Sequence, residues 1–103
     1  MSHYARAIEI LEEAWTLDTG VFWRLRQGIY SDEEMERVLN ELRDVAVETG
    51  SSLPRRLVEV LWYVPLFMTW QRERVRELGG DVESYSRSVE AMTSEAERLL
   101  GVP

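Results

Sequence analysis

The stretch from Leu57 to Trp70, LVEVLWYVPLFMTW, places apolar residues on nearly every side of a helix and carries Pro65 in its middle. A helix that is apolar all round has to be buried all round. The stretch is too short, and too interrupted by Glu59, to span a bilayer, which takes about 20 apolar residues. The expectation is therefore a central core helix, kinked or broken near Pro65, because proline removes one backbone hydrogen bond and clashes with the preceding turn. On the same reading most of Trp15, Trp23, Trp62 and Trp70 belong to the core. Truncating Leu61 or Trp62 is then expected to cost several kcal/mol by leaving a cavity.

The flanking segments read as helices made to surround that one. Tyr4, Ile8, Leu11 and Trp15 recur at helical spacing, giving a first helix from about Ser2, its cap, to Thr16. VFWRLRQ reads as a short helix closed by Gly28 in a left-handed conformation. Ser31 with Glu34 forms a capping-box pattern, and Tyr30 can staple onto Met35. The apolar stripe Met35, Val38, Leu39, Leu42, Val45 and Ala46 then runs toward a stop at Gly50. Ser51 or Ser52 is expected to cap the central helix, with Pro54 in its first turn, and Gly79-Gly80 to end it. Asp81 caps a last helix whose stripe, Val82, Tyr85, Val89, Met92, Ala96 and Leu99, reaches Gly101. No segment alternates as a strand would. The chain is thus expected to be one all-α domain over residues 1–103, a compact bundle of four to six helices joined by loops of about two to five residues, with antiparallel neighbours.

Composition narrows the function classes. All twelve basic residues are arginine, against nineteen acidic ones, for a formal charge of -7. Such a surface repels nucleic acid and anionic membranes and favours basic protein partners. The arginines Arg24, Arg26, Arg55, Arg56, Arg72, Arg74 and Arg76 are interleaved with acids and read as internal ion-pair partners to helices 1 and 3. There is no cysteine and no lysine, and the one histidine, His3, reads as an exposed residue, so the usual nucleophile and base pairs cannot be assembled. No metal-ligand spacing occurs either. Asp32-Glu33-Glu34 sits in a first helical turn, where the macrodipole favours acids. The chain is read as a non-enzyme without cofactor or metal. Its acidic, uncleavable-looking N-terminal segment and lack of cysteine suggest a cytoplasmic address.

Charge is uneven along the chain, at -5 over residues 31–50 and -3 over residues 81–103, against +2 over residues 51–80. On a helical wheel Glu33, Glu41, Asp44 and Glu48, with Arg37 among them, lie opposite the apolar stripe of the third helix. Glu83, Glu90 and Glu97 repeat every seven residues along the outer face of the last helix. These eight residues are the candidate partner-binding surface, able to steer a cationic protein.

The string GVFWRLRQGIYSDEEMERVLNEL, followed by RRLVEVLWYVPLFMTWQRERV and LLGVP, resembles small immunity proteins of bacterial polymorphic toxin systems, including those of contact-dependent growth inhibition. The likeness covers most of residues 20–103, and its specific parts are FWRLRQG (Phe22 to Gly28) and LWYVPLFMTWQ (Leu61 to Gln71). It implies a cytosolic protein, a monomer or weak homodimer, that binds a cognate toxin domain and blocks it, often by covering an active site. Binding residues vary in such families, so none is carried over. The alternative is a homo-oligomeric helical regulator or adaptor without catalytic activity, pairing through residual apolar surface around Val21, Phe22, Ile29 and Tyr30.

Overall fold

Ser31 and Asp81 both start helices as their surroundings predict: the Ser31 hydroxyl accepts from the Glu34 amide at 3.2 Å, and the Asp81 carboxylate accepts from the Ser84 amide at 3.1 Å. Each bond satisfies an amide that the first helical turn would leave without a partner. The computed structural model describes residues 4–47, 50 and 52–102, and among them it holds five helices and no strand. These are α1 (Ala5–Thr16), α2 (Val21–Leu25), α3 (Asp32–Arg43), α4 (Arg55–Glu77) and α5 (Val82–Leu100). The expected cap Ser2, together with His3, Glu48 and Ser51, lies outside the described residues.

The four longer helices form a ring in which α1 packs on α3, α3 on α5, α5 on α4, and α4 on α1, so α3 and α4 lie on the diagonal. The short α2 packs on α1 and supplies Val21, Phe22 and Leu25, all buried. Its approach is close: a Cβ on Gly20 would stand 2.4 Å from the Ala14 carbonyl oxygen, so glycine alone permits the corner. After α2 the chain turns at Gly28, whose φ of 81° is the left-handed conformation its helix stop requires. Helix α1 buries Ala7 and Ala14 as well as Leu11, small residues that let its neighbours come near.

Three expectations need correction. First, α3 stops at Arg43 and not near Gly50, and the α3–α4 connection runs from Asp44 to Pro54, longer than the short loops expected. The cause is Arg98 in α5, whose guanidinium donates to the carbonyls of Leu42 and Val45, both at 2.8 Å, while pairing with Glu95 at 2.9 Å. A cation takes the carbonyls that further helix would have bonded, a favourable arrangement at a C-terminus. The long connection then carries the chain across the diagonal. Ser52 does not cap α4; the N-cap is Pro54, with no side-chain bond.

Second, of the kink or break expected near Pro65, the break does not occur: α4 continues as one helix from Arg55 to Glu77. Leu61, Val64, Phe67 and Met68 are buried on both sides of the proline, so packing anchors both halves and outweighs the missing backbone bond. Third, α4 is not buried all round. Its inward arc is Leu57, Val60, Leu61, Val64, Phe67, Met68 and Val75, but Trp62 is 54% exposed and Trp70 61%. In a ring of four helices, no described helix covers Trp62 and Trp70 on the outward arc.

Tyrosines close the seams. The Tyr85 hydroxyl, fully buried with its ring, donates to the Met68 carbonyl of α4. Tyr30 packs its ring edge-on to Tyr85, centroids 4.8 Å apart, and bonds Ser88 at 2.6 Å. Tyr30 therefore bridges the entry of α3 to α5. Burial pushes the Tyr30 phenol up to about 12, assisted by the carboxylates of Asp32 and Glu36, and burial pushes Tyr85 up as well. Among the described residues one buried side-chain polar atom goes unanswered, the Arg72 Nε.

Two predictions follow from burial and from titration. Leu61→Ala should cost about 2–5 kcal/mol in urea unfolding, whereas Trp62→Ala should cost about 1 kcal/mol or less. Equal losses would contradict the exposed arc of α4. With no lysine or cysteine, tyrosines dominate titration between pH 10 and 12. Over that window phenols of the unfolded chain ionise near 10 while Tyr30 stays neutral to about 12, so the native state holds more protons and stability falls as pH rises. Urea midpoints should be level from pH 8 to 9 and decline above 10, with a shallower decline in Tyr30→Phe.

Candidate protein-binding surfaces

The ring carries two different surfaces, one on α3 and α5 and one on α4. On the α3–α5 side lie the predicted carboxylates. Glu33 and Asp44 are exposed at the two ends of α3, with Asp44 its C-terminal cap and not a residue of its body. Glu83, Glu90 and Glu97 are exposed along α5. None of these five side chains makes a hydrogen bond or ion pair within the described residues, so their charge is available to a partner.

The remaining predicted residues are placed differently. Glu41 turns toward α1, where Arg6 stands 3.6 Å away, and Arg37 pairs with Glu34 at 3.0 Å. Both line a shallow groove between α1 and α3 that also holds Glu13. The α3 set therefore does not form one outward face: Glu33 is separated from Glu41 by the rotation of the helix, and Glu48 lies outside the described residues. Between α3 and α5 a second groove is lined by Asp32, Glu33 and Glu36 on one wall and Ser84, Arg87 and Ser88 on the other. Arg43 at its end pairs with Glu36 at 2.8 Å, and Ser84 donates to Asp32 at 2.8 Å. The acidic side is thus two ridges, one on α3 and one on α5, with a mixed-charge furrow between them.

The other surface was missed. The outward arc of α4 carries Trp62, Tyr63, Leu66 and Trp70, all exposed. Tyr63 is its hub, edge-on to Trp62 at 5.6 Å and to Trp70 at 5.9 Å. It also lies 5.8 Å from Trp15, which in turn meets Phe67 at 4.7 Å and Phe22 at 5.5 Å. Arg26 stands over the Trp15 ring at 4.6 Å, a cation–π contact that accounts for one of the arginines in FWRLRQG. Arg56 reaches α1 as expected, bonding Glu12 at 2.6 Å, which holds its guanidinium proton more firmly still. Arg76 pairs within α4, with Glu73 at 2.8 Å, and among the described residues no arginine of α4 pairs with α3. The signal for this surface was present in the sequence: Trp62, Leu66 and Trp70 step by four along one side of α4, opposite Leu57, Val64 and Met68.

The apolar surface assigned to self-pairing also moves. Val21 and Phe22 are buried and Tyr30 is half-buried against Tyr85, leaving Ile29 alone of that group well exposed.

Among the described residues no helix is long and apolar enough to cross a membrane, and no group of three or more acids and histidines is placed to hold a metal ion. Chemically the molecule offers fixed negative charge on α3 and α5 and a ringed apolar face on α4. Comparison with protein-family models, with curated proteins and with solved structures finds no match to this chain.

Proposed function

We propose that this chain is a non-catalytic protein-binding domain of the immunity type, which neutralises a basic toxin domain by seating it against the acidic ridges of α3 and α5. The observation that carries the reading is the set Glu33, Asp44, Glu83, Glu90 and Glu97, exposed and without partners among the described residues, in a chain of net charge -7. Carboxylates already paired within the fold add little to a complex, whereas free ones raise the encounter rate of a cationic partner and can pair with it on docking. The resemblance of FWRLRQG and LWYVPLFMTWQ to immunity proteins supplies the class of partner, and a nuclease domain, basic because it binds a polyanion, fits the charge. The reading places the protein in the cytoplasm, where such a toxin acts. The exposed arc of α4 favours a second reading, a self-associating adaptor, on a different surface of the same molecule.

Capture with this chain as bait in lysate of its own organism, followed by mass spectrometry, tests the first reading. The expected catch at moderate salt is a basic toxin fragment. Its affinity should fall by about tenfold or more on raising the salt or on replacing Glu83, Glu90 and Glu97 together by glutamine, without loss of thermal stability. Recovery of the bait alone, or a complex indifferent to both changes, would overturn it.

A further inference from the structure

We infer that the outward arc of α4 is the seat of a second copy of this chain, packed antiparallel across a two-fold axis at Leu66. The inference does not depend on what the acidic ridges bind.

The face is large enough to need an occupant. Besides the two tryptophans, Leu66 is 42% exposed and Tyr63 and Val58 37% each. With a fully exposed aromatic side chain near 250 Å², these residues present on the order of 500 Å² of apolar surface, within the range of patches that serve as binding sites. The flanking Arg55, Glu59, Glu73 and Glu77, all exposed on the same arc, bring the face toward the ~800 Å² per partner of a specific interface.

Its layout specifies the occupant. Counting outward from Leu66, Trp62 and Trp70 lie four residues away, Glu59 and Glu73 seven, and Arg55 and Glu77 eleven. A two-fold interface uses one patch twice and requires each half to complement the other reversed. Antiparallel pairing centred on Leu66 stacks Trp62 of one copy beside Trp70 of the next at both ends of an apolar middle, and sets Arg55 against Glu77. Parallel pairing would set arginine against arginine and glutamate against glutamate. The charge order itself asks for this: α4 begins with Arg55 and Arg56 and has no acid in its first turn, the reverse of what the helix dipole favours. Arg56 is answered by Glu12 of its own chain, and among the described residues Arg55 has no partner until a second copy brings Glu77. The pairing also brings Glu59 near Glu73, a like-charge contact, but Glu73 is already neutralised by Arg76 at 2.8 Å.

The absence of cysteine makes the geometry directly measurable. In the antiparallel pair, position 59 faces position 73 of the other copy, while equivalent positions lie fourteen residues apart, about 21 Å along the helix, far beyond the ~7 Å that a disulfide allows between Cα atoms. Purified Glu59→Cys and Glu73→Cys chains, mixed and oxidised, should give a heterodimeric disulfide, and each alone should give little. Sedimentation of the unmodified chain should show a concentration-dependent dimer, and Leu66→Arg, at an exposed site and with unchanged helicity, should weaken it by about tenfold or more. Glu59→Cys cross-linking to itself, a dimer indifferent to Leu66→Arg, or a strict monomer at high micromolar concentration would each overturn the pairing. These experiments use the purified chain alone, so their failure leaves toxin binding by the acidic side untouched, and failure of that binding leaves the dimer standing.

Discussion

A helix in a ring of four can be covered only over its inward arc, and every residue outside that arc meets water. This constraint orders the molecule more than any single contact does. Helices α3 and α5 answer it conventionally, with apolar stripes inside and carboxylates outside. Helix α4 answers it with aromatic rings on both arcs, so its inner arc builds the core while its outer arc is surplus to folding. The core that results, with Leu11, Phe22, Leu39, Leu61, Met68, Tyr85 and Met92 fully enclosed, draws on every helix. It hides enough apolar area to hold a chain of this size without disulfide or metal.

Because α3 and α4 lie on the diagonal, the α3 ridge and the outward arc of α4 sit on helices that do not pack together, while the α5 ridge sits on a helix that packs against α4. Unpartnered carboxylates collect on α3 and α5, and exposed rings collect on α4. A pair of chains joined through α4 would carry its acidic ridges outward on both flanks, so that each copy could seat a partner. Joined binding sites gain apparent affinity for a bivalent or clustered target without any new contact.

What was legible in the sequence was whatever is settled within one helical turn or along one stripe. The caps at Ser31 and Asp81, the left-handed Gly28 and the stop at Gly101 depend on neighbours three or four residues away. The buried stripes of α3 and α5 followed from their period. Among the candidate site residues, the seven-residue repeat of Glu83, Glu90 and Glu97 was enough to place all three in water. The features that were not legible are settled at long range. The end of α3 depends on Arg98, far along the chain, and Tyr30 meets Tyr85 and Ser88 because α5 stands beside it. Glu41 turned out to face Arg6 because α1 packs on α3. The exposure of Trp62 and Trp70 was misread for a subtler reason: the apolar count of a segment says how much surface could be buried, but the number of neighbours decides how much is. With four helices in the ring there are too few to wrap α4.

The exposed rings are nonetheless not loose. A chain of aromatic contacts runs from buried Phe22 through Trp15 to Tyr63, and from Tyr63 to Trp62 and Trp70 at the surface. Phe67 supports both Trp15 and Tyr63 from below, and Arg26 closes over Trp15 from the side of α2. Side chains held this way surrender little rotamer freedom when something docks on them, and immobilising a free side chain at an interface costs about 0.5–1.5 kcal/mol each. Tyrosine and tryptophan start with few torsions to lose. The ladder therefore converts buried area into affinity more efficiently than the same area of flexible leucine or methionine would. The same packing explains why α4 tolerates Pro65: the rings and the inner arc hold its two halves in one continuous helix, and a continuous helix is what a face spanning Arg55 to Glu77 requires.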